Sequence, residues 1–150
     1  WDGGWLPTEA EWNYAAAGGA EQRYYPWSSP ATNIAINKYY AVYDCMGDYS
    51  DPEDCGFSDI LSVGSRSPTG DGLWAQADLG GSMWEWNLDW YDIYTNPCNN
   101  CANLSSASGR VTRGGSWSGL ASGLRAADRN YGIAPTSRYL NLGFRCARTP

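Results

Sequence analysis

The sequence predicts an α+β fold that is irregular and loop-rich, with short antiparallel strands and few helices. Glycine and proline number 18 and 8 in 150 residues, a proportion that favours turns and loops. Apolar residues follow a helical period in one segment and alternate over short runs elsewhere. A chain of this length suits one domain, residues 1–150, and no apolar run is long enough for membrane insertion.

The helix that the sequence predicts begins after Thr8. Thr8 as the N-cap and Glu11 three residues later form a capping box, in which each side chain accepts a hydrogen bond from the other residue's backbone N–H. Alanines at 15–17 favour the helix, and Gly18 permits the left-handed backbone that ends it. We interpret this helix as scaffold, with Trp12 on its buried face.

Three segments show the composition of strands. Residues 84–90 alternate Trp or Leu with Glu, Asn or Asp, which predicts a strand that buries its three Trp side chains. The alternative is an exposed aromatic platform that stacks a sugar. Residues 111–113 and 143–148 mix β-branched, aromatic and arginine residues and predict two further strands. After the first of these, Gly114 allows a sharp turn that lets Trp117 enter the core.

The net charge of −6 is divided unevenly along the chain. Residues 1–109 contain fifteen acidic and three basic residues, whereas residues 110–150 contain seven arginines and one acid, Asp128. A basic binding patch is one interpretation. We favour the other, in which arginines of the second half pair with acids of the first: Arg110, Arg113, Arg125, Arg129, Arg145 and Arg148. An acidic protein repels a polyphosphate backbone, so nucleic acid is not an expected partner.

Five cysteines and no histidine narrow the possible chemistry. A zinc site would have only cysteine as a soft ligand, and the CxxC at 98–101 lacks the helix that follows a redox motif. We expect structural disulfides, favouring Cys45 with Cys55 and Cys98 with Cys101, and therefore an extracellular or periplasmic location. Without histidine, Ser-His-Asp and Cys-His nucleophiles are excluded.

Six acidic residues lie within the sixteen positions 44–59. Their carboxylates repel one another unless something neutralises them. Calcium is one interpretation, because Ca²⁺ takes oxygen ligands and tolerates irregular loops, and a solvated acidic loop is the other.

Five motifs, in order along the chain, resemble the formylglycine-generating enzyme (sulfatase-modifying factor) family. They are LPTEAEWNYAAAGG at 6–19, ADLGGSMWEWNLDWY at 77–91, RVTRGGSW at 110–117, LRAADR at 124–129 and GFRCAR at 143–148. The resemblance implies a C-type-lectin-like fold. Family sequences extend upstream of the first motif, so it also implies a domain truncated at its N-terminus, with Cys146 pairing with an upstream cysteine.

The resemblance implies one or two calcium ions. The first set of family ligands corresponds to Asn33, Ile34, Asp54 and Phe57, although Cys55 alters the spacing of the last two. The second set corresponds to the side chains of Asp78 and Glu85 with the carbonyls of Gly81 and Met83. Ser82 departs from the family pattern within this loop.

The same resemblance argues against catalysis. The family binds copper through two cysteines between GGSW and GFRC, and residues 117–143 contain no cysteine. Related iron-dependent sulfoxide synthases need a histidine cluster, which this chain lacks. We expect no copper and no oxidase activity. An oxidase completed by upstream residues and a structural domain of a larger surface protein remain as alternatives.

Residues 118–141 are then the expected ligand-binding segment, for an unknown protein or glycan. Its serine, tyrosine and aliphatic residues have the composition of a binding surface and are expected to be exposed. In some C-type-lectin-like proteins, diversity-generating retroelements mutate the adenines of AAY codons and so produce NNY codons at ligand-binding positions. NNY codons can encode every candidate residue here, which fits a variable protein of this kind. They are Ser118, Leu120, Ser122, Tyr131, Ile133, Ser137, Tyr139 and Leu140.

Overall fold

A computed structural model describes residues 3–48, 55–94, 96–98 and 101–148. Over these residues the chain forms one α-helix and a four-stranded sheet, joined by long loops and three short 3₁₀ turns. The helix is α1 (Glu9–Ala16), and the strands are β1 (Trp84–Trp90), β2 (Arg110–Arg113), β3 (Asn130–Ile133) and β4 (Leu142–Gly143). The predicted irregular α+β architecture is confirmed. No helix within these ranges has the length and apolarity needed to cross a membrane.

Helix α1 begins and ends as the sequence predicts. Thr8 Oγ1 accepts a hydrogen bond from the Glu11 N–H at 3.1 Å, and Glu11 Oε2 accepts from the Thr8 N–H at 2.8 Å. Gly18 follows the helix in the left-handed conformation, with a φ of 65°. Trp12 is buried and packs in a core cluster with Leu79.

The sheet has the order β3-β2-β1-β4. Strands β1 and β2 are antiparallel, as are β2 and β3, but β4 is parallel to β1. The final strand is shorter than predicted: it spans Leu142–Gly143, whereas the sequence predicted a strand over 143–148. After β4 the Arg145 side chain pairs with Glu85, and Ala147 pairs separately with Trp5 in an isolated bridge.

The alternation predicted along β1 is confirmed, but the prediction of which face is buried is wrong. The buried side chains are polar, Glu85, Asn87 and Asp89, whereas the Trp side chains at 84, 86 and 90 are half-buried. Glu85 and Asp89 can face inward because they find partners there, whereas the buried Asn87 amide has no hydrogen-bond partner among the described residues. Trp12 Nε1 donates to Glu85 at 2.7 Å, and the Glu9 N–H donates to Asp89 at 2.7 Å.

Aromatic residues supply much of the apolar core. Tyr25 stacks on Trp27 with ring centroids 5.0 Å apart, and Trp27 stacks on Tyr40 at 5.6 Å. A neighbouring cluster contains Trp117, which is buried as predicted. Tryptophan and tyrosine therefore provide the volume that Leu and Phe fill in most domains.

Glu9 is the centre of a buried ion-pair network. Its Oε1 lies 3.1 Å from Arg113 Nε, an ion-pair distance without hydrogen-bond alignment, and 2.7 Å from Arg129 Nε. Arg129 Nη2 donates to Oε2 at 2.9 Å, and the Tyr94 hydroxyl donates to Oε1 at 3.0 Å. Burial raises the pKa of Tyr94, and the Glu9 carboxylate adds to this, so the hydroxyl stays protonated at neutral pH. The network joins α1 to β2 and to the loops before β3 and after β1.

The predicted pairing of second-half arginines with first-half acids is confirmed for Arg113, Arg129 and Arg145. Arg125 pairs instead with Asp128 of the same half, at 3.1 Å. Arg110 stacks on Trp90, with its guanidinium 4.5 Å from the ring centroid. Most of the basic charge of the second half therefore serves the fold.

Both favoured disulfides are present, joining Cys45 to Cys55 and Cys98 to Cys101. Cys146 is exposed and has no disulfide partner among the described residues. Within the acidic segment, Asp59 is fully buried, and its carboxylate accepts hydrogen bonds from the backbone N–H groups of residues 47, 48 and 56. This acid is therefore a structural acceptor, not a solvated charge.

Replacing Glu9 by Gln should lower the free energy of unfolding by about 3 kcal/mol, because it leaves buried Arg113 without its counter-charge. Urea denaturation measures the effect. The matched control is Glu21→Gln, which neutralises the exposed partner of Arg23 and should cost less than about 1 kcal/mol. Equal effects of the two substitutions would contradict a structural role for the buried network.

Candidate ligand-binding surface

The segment 118–141 is held at both ends beside the start of β1. Asn141 Nδ2 lies 3.3 Å from Ser116 Oγ and 3.5 Å from Ser118 Oγ, and the Asn141 carbonyl accepts from the Trp84 N–H at 2.9 Å. The turn before the segment needs glycine, because a Cβ on Gly115 would lie 2.6 Å from Leu124 Cδ1. These contacts therefore fix both ends of the irregular segment against the start of β1.

Five of the predicted binding residues lie close in sequence to this clamp and are exposed. The exposed fractions of Leu120, Tyr139 and Leu140 are 67%, 59% and 67%. Ser118 and Ser122 are also exposed. We call these five residues the Asn141 surface. Their predicted exposure is confirmed, and their role in binding stays a prediction.

The remaining three predicted residues are placed differently. Ile133 lies on β3 and pairs with Arg110, which in turn pairs with Trp90 at the end of β1 farthest from Trp84. Six residues of strand correspond to about 20 Å, so Ile133 is remote from the Asn141 surface. Ile133 and Ser137 are half-buried, and the side chain of Tyr131 lies outside the described residues. The eight residues therefore do not form one continuous patch.

Trp84 joins the candidate surface, although its sequence pattern predicts a core residue. It is half-buried, and a Cβ on Gly123 would lie 3.6 Å from its ring, so the 3₁₀ turn Ala121–Leu124 passes directly beside the indole. Beneath the same turn, the Tyr25 hydroxyl donates to the Ala121 carbonyl at 3.3 Å. Burial raises the pKa of Tyr25, so this donor stays protonated and supports the turn.

The first calcium set is only partly described, since Asp54 lies outside the described residues. Asn33 Oδ1 accepts from the Ala35 N–H at 2.9 Å, and Ile34 and Phe57 are exposed. An amide oxygen and backbone carbonyls in an exposed turn are ligands of the kind that Ca²⁺ takes. The first set stays a prediction, because its one charged ligand, Asp54, lies outside the described residues.

The second calcium set fits a divalent ion less well. Glu85 Oε1 and Oε2 each lie 2.6 Å from nitrogens of Arg145, and Oε2 also accepts from Trp12 Nε1. The charge of Glu85 is therefore already matched by a guanidinium. Asp78 would then be the one remaining carboxylate to balance the two positive charges of Ca²⁺, since the carbonyls of Gly81 and Met83 are neutral ligands.

Comparisons with known proteins identify a shared family and fold. The profile of the "Sulfatase-modifying factor enzyme 1-like domain" matches residues 1–150. The formylglycine-generating enzyme of Mus musculus is 33% identical over 153 residues, covering 98% of this chain and 40% of the relative. The inactive C-alpha-formylglycine-generating enzyme 2 of Bos taurus is also 33% identical over 153 residues, covering 98% and 44%.

Among solved structures, Treponema denticola variable protein 1 is similar with a TM-score of 0.73 and 31% identity, covering 95% of this chain and 46% of that chain. PvdO from Pseudomonas aeruginosa has a TM-score of 0.70 at 24% identity, covering 94% and 51%. These likenesses confirm the predicted C-type-lectin-like fold. The chain spans about half the length of the relatives that it matches.

Proposed function

Because the chain belongs to the sulfatase-modifying factor family, we propose that it is a catalytically inactive member that binds a protein or glycan ligand through residues 118–141. We further propose that it is secreted and stabilised by calcium. The observation that carries the proposal is the Asn141 surface, in which Leu120, Tyr139 and Leu140 are exposed next to a clamped backbone. The proposal concerns this domain alone, because the chain covers about half the length of these relatives.

Three large apolar side chains are exposed within a few residues of the contacts that join Asn141 to Ser116 and Ser118, and an exposed apolar patch commonly marks an interaction site. Aromatic and aliphatic anchors on a rigid backbone lose little conformational entropy when a ligand binds. The clamp at Asn141 supplies that rigidity, and Ser118 and Ser122 add adaptable hydrogen-bonding groups. Both features support recognition of a ligand rather than packing of a core.

Overall similarity cannot decide whether the domain is active, because the mouse enzyme and the inactive bovine relative are equally similar, at 33% identity. The decision rests on individual residues. The segment from Trp117 to Gly143 contains no cysteine, and the chain contains no histidine. No side chain in this segment can therefore bind Cu(I) as a thiolate or act as a redox thiol.

Incubated with Cu(I), oxygen and a CxPxR peptide, the 150-residue chain should leave the peptide cysteine unchanged, because the segment has no thiolate to bind copper. Mass spectrometry of the peptide measures the outcome, with the mouse enzyme as the positive control. Formylglycine above the level of a protein-free reaction would favour the oxidase alternative and overturn the inactive assignment.

Secretion is supported by the two disulfides, which are compatible with an oxidising compartment. Binding in that compartment can be tested by photo-crosslinking. A benzophenone amino acid at position 139 should crosslink a partner in an extract of the source organism. Position 14 is the matched control, because Tyr14 is 62% exposed and lies on α1, outside the proposed surface.

The same experiment needs variants that separate binding from stability. Tyr139→Ala and Leu140→Ala should each change the melting temperature little and weaken capture of the crosslinked partner. Leu124→Ala removes a fully buried side chain and should cost about 2–5 kcal/mol. Equal crosslinking at positions 14 and 139, or a large loss of stability in Tyr139→Ala, would contradict the proposed surface.

Removal of calcium should destabilise the domain. A ligand at a hundredfold excess over its Kd stabilises the native state by about 2.7 kcal/mol, so EDTA should lower the melting temperature by roughly 5–10 °C. Asp54→Asn should abolish the EDTA effect, whereas Asp78→Asn should retain it if the first set binds the ion. An unchanged melting curve in EDTA, with no calcium in the purified protein, would remove both sets.

A further inference from the structure

A cleft of about 470 Å³ opens beside the edge strand β4, and none of the five residues of the Asn141 surface lines it. Its walls are apolar, and the exposed fractions of Val63 and Phe144 are 92% and 68%. Its lining also includes three charged residues, Asp78, Glu85 and Arg145. An apolar cleft with a few convergent polar groups is the usual form of a binding site.

Two of these charges are matched to each other. Arg145 Nε and Nη2 lie 2.6 Å from the two Glu85 oxygens, and Nη2 also donates to the carbonyls of Ala77 and Asp78 at 3.1 and 2.9 Å. Glu85 is further fixed by Trp12. This pair is therefore neutral as a unit and is held in one geometry.

The third charge has no counter-charge. Asp78 Oδ2 accepts from the Gly64 N–H at 2.6 Å, and no arginine or lysine of the described residues forms an ion pair with this carboxylate. Asp78 is half-buried, so solvent screens it only in part. The cleft therefore combines apolar walls with one unmatched negative charge.

We propose that this cleft binds a basic side chain with an aliphatic stem, a lysine of a partner polypeptide. The methylene groups of the stem pack against Val63 and Phe144, as lysine stems commonly cover apolar surface. The ammonium group pairs with Asp78. The resulting site is neutral, because one positive charge meets one unmatched negative charge.

A monovalent cation fits this charge count better than a divalent one. Calcium at Asp78 would leave one positive charge in excess next to Arg145, and an unmatched charge in a partly buried site is unfavourable. A divalent ion also makes no use of the apolar walls. The proposal does not depend on the Asn141 surface, which uses other residues.

The test is a titration of the ¹⁵N-labelled 150-residue protein with Nα-acetyl-lysine methylamide. The backbone amides of Gly64, Ser82 and Gly143 should shift and saturate, because they lie in or next to the cleft. The norleucine analogue has a similar aliphatic side chain without the ammonium and should bind about tenfold more weakly, corresponding to about 1.4 kcal/mol.

Matched variants identify the residues responsible. Asp78→Asn keeps an oxygen acceptor for Gly64 and tolerates the left-handed backbone at this position, where φ is 54°. It should raise the Kd of the lysine compound to that of the norleucine compound. Asp92→Asn changes an exposed acid outside the cleft and should leave the Kd unchanged, and Val63→Ser should weaken both compounds.

Three results would overturn the proposal. The first is equal affinity for the two compounds, which would leave an apolar groove without charge selection. The second is the absence of saturable shifts at all three amides. The third is saturation of the same amides by Ca²⁺ with exclusion of the lysine compound, which would make the cleft a calcium site. Leu140→Ala should leave the titration unchanged, so failure here is distinguishable from failure of the proposed ligand surface.

Discussion

Buried carboxylates on the inner side of the sheet hold the elements of this domain in place. Glu9 joins α1 to Arg113 of β2 and to Arg129 ahead of β3, and Glu85 of β1 joins Arg145 after β4. An ionised carboxylate inside a protein costs several kcal/mol unless cations and donors surround it. The fold is therefore stable only when Glu9 and Glu85 each contact their arginines. These ion pairs fix the positions of the helix, the sheet and the C-terminal segment relative to one another.

The inward polar face of β1 has a consequence for the outer face. The Trp side chains at 84, 86 and 90 are only half-buried, because the interior positions of the strand are taken by the charged network. Trp84 lies beside the turn that begins the Asn141 surface. A half-buried indole beside this turn, which directly follows exposed Leu120 in the chain, adds to the apolar area that a ligand can contact.

The two proposed recognition features differ in how they are attached to the fold. The Asn141 surface lies on an irregular segment that is fixed at its ends, so its exposed side chains can change without disturbing the core. The cleft beside β4 is lined by Glu85 and Arg145, which also stabilise the fold. Substitutions in the first feature are expected to alter specificity, whereas substitutions at the floor of the second also affect stability.

Features that depend on neighbours in sequence could be predicted from the sequence. Helix α1 follows from the capping box of Thr8 and Glu11, and both disulfides join cysteines separated by ten residues or fewer. The alternation along β1 follows from its period of two. The family motifs predicted the C-type-lectin-like fold, which the structural comparisons confirm.

Features that depend on distant partners were decided by the tertiary structure. A period of two defines two faces of β1 but not which is buried, and hydrophobicity alone favours the wrong one. Glu85 faces inward because it pairs with Arg145, which is 60 residues away in sequence. Glu9 is buried because it pairs with Arg129, which is 120 residues away. The separation of Ile133 from the Asn141 surface likewise follows from strand order. The sequence by itself determined the local elements and the family, whereas matching of buried charges in three dimensions decided which faces are inside and which residues remain free to bind.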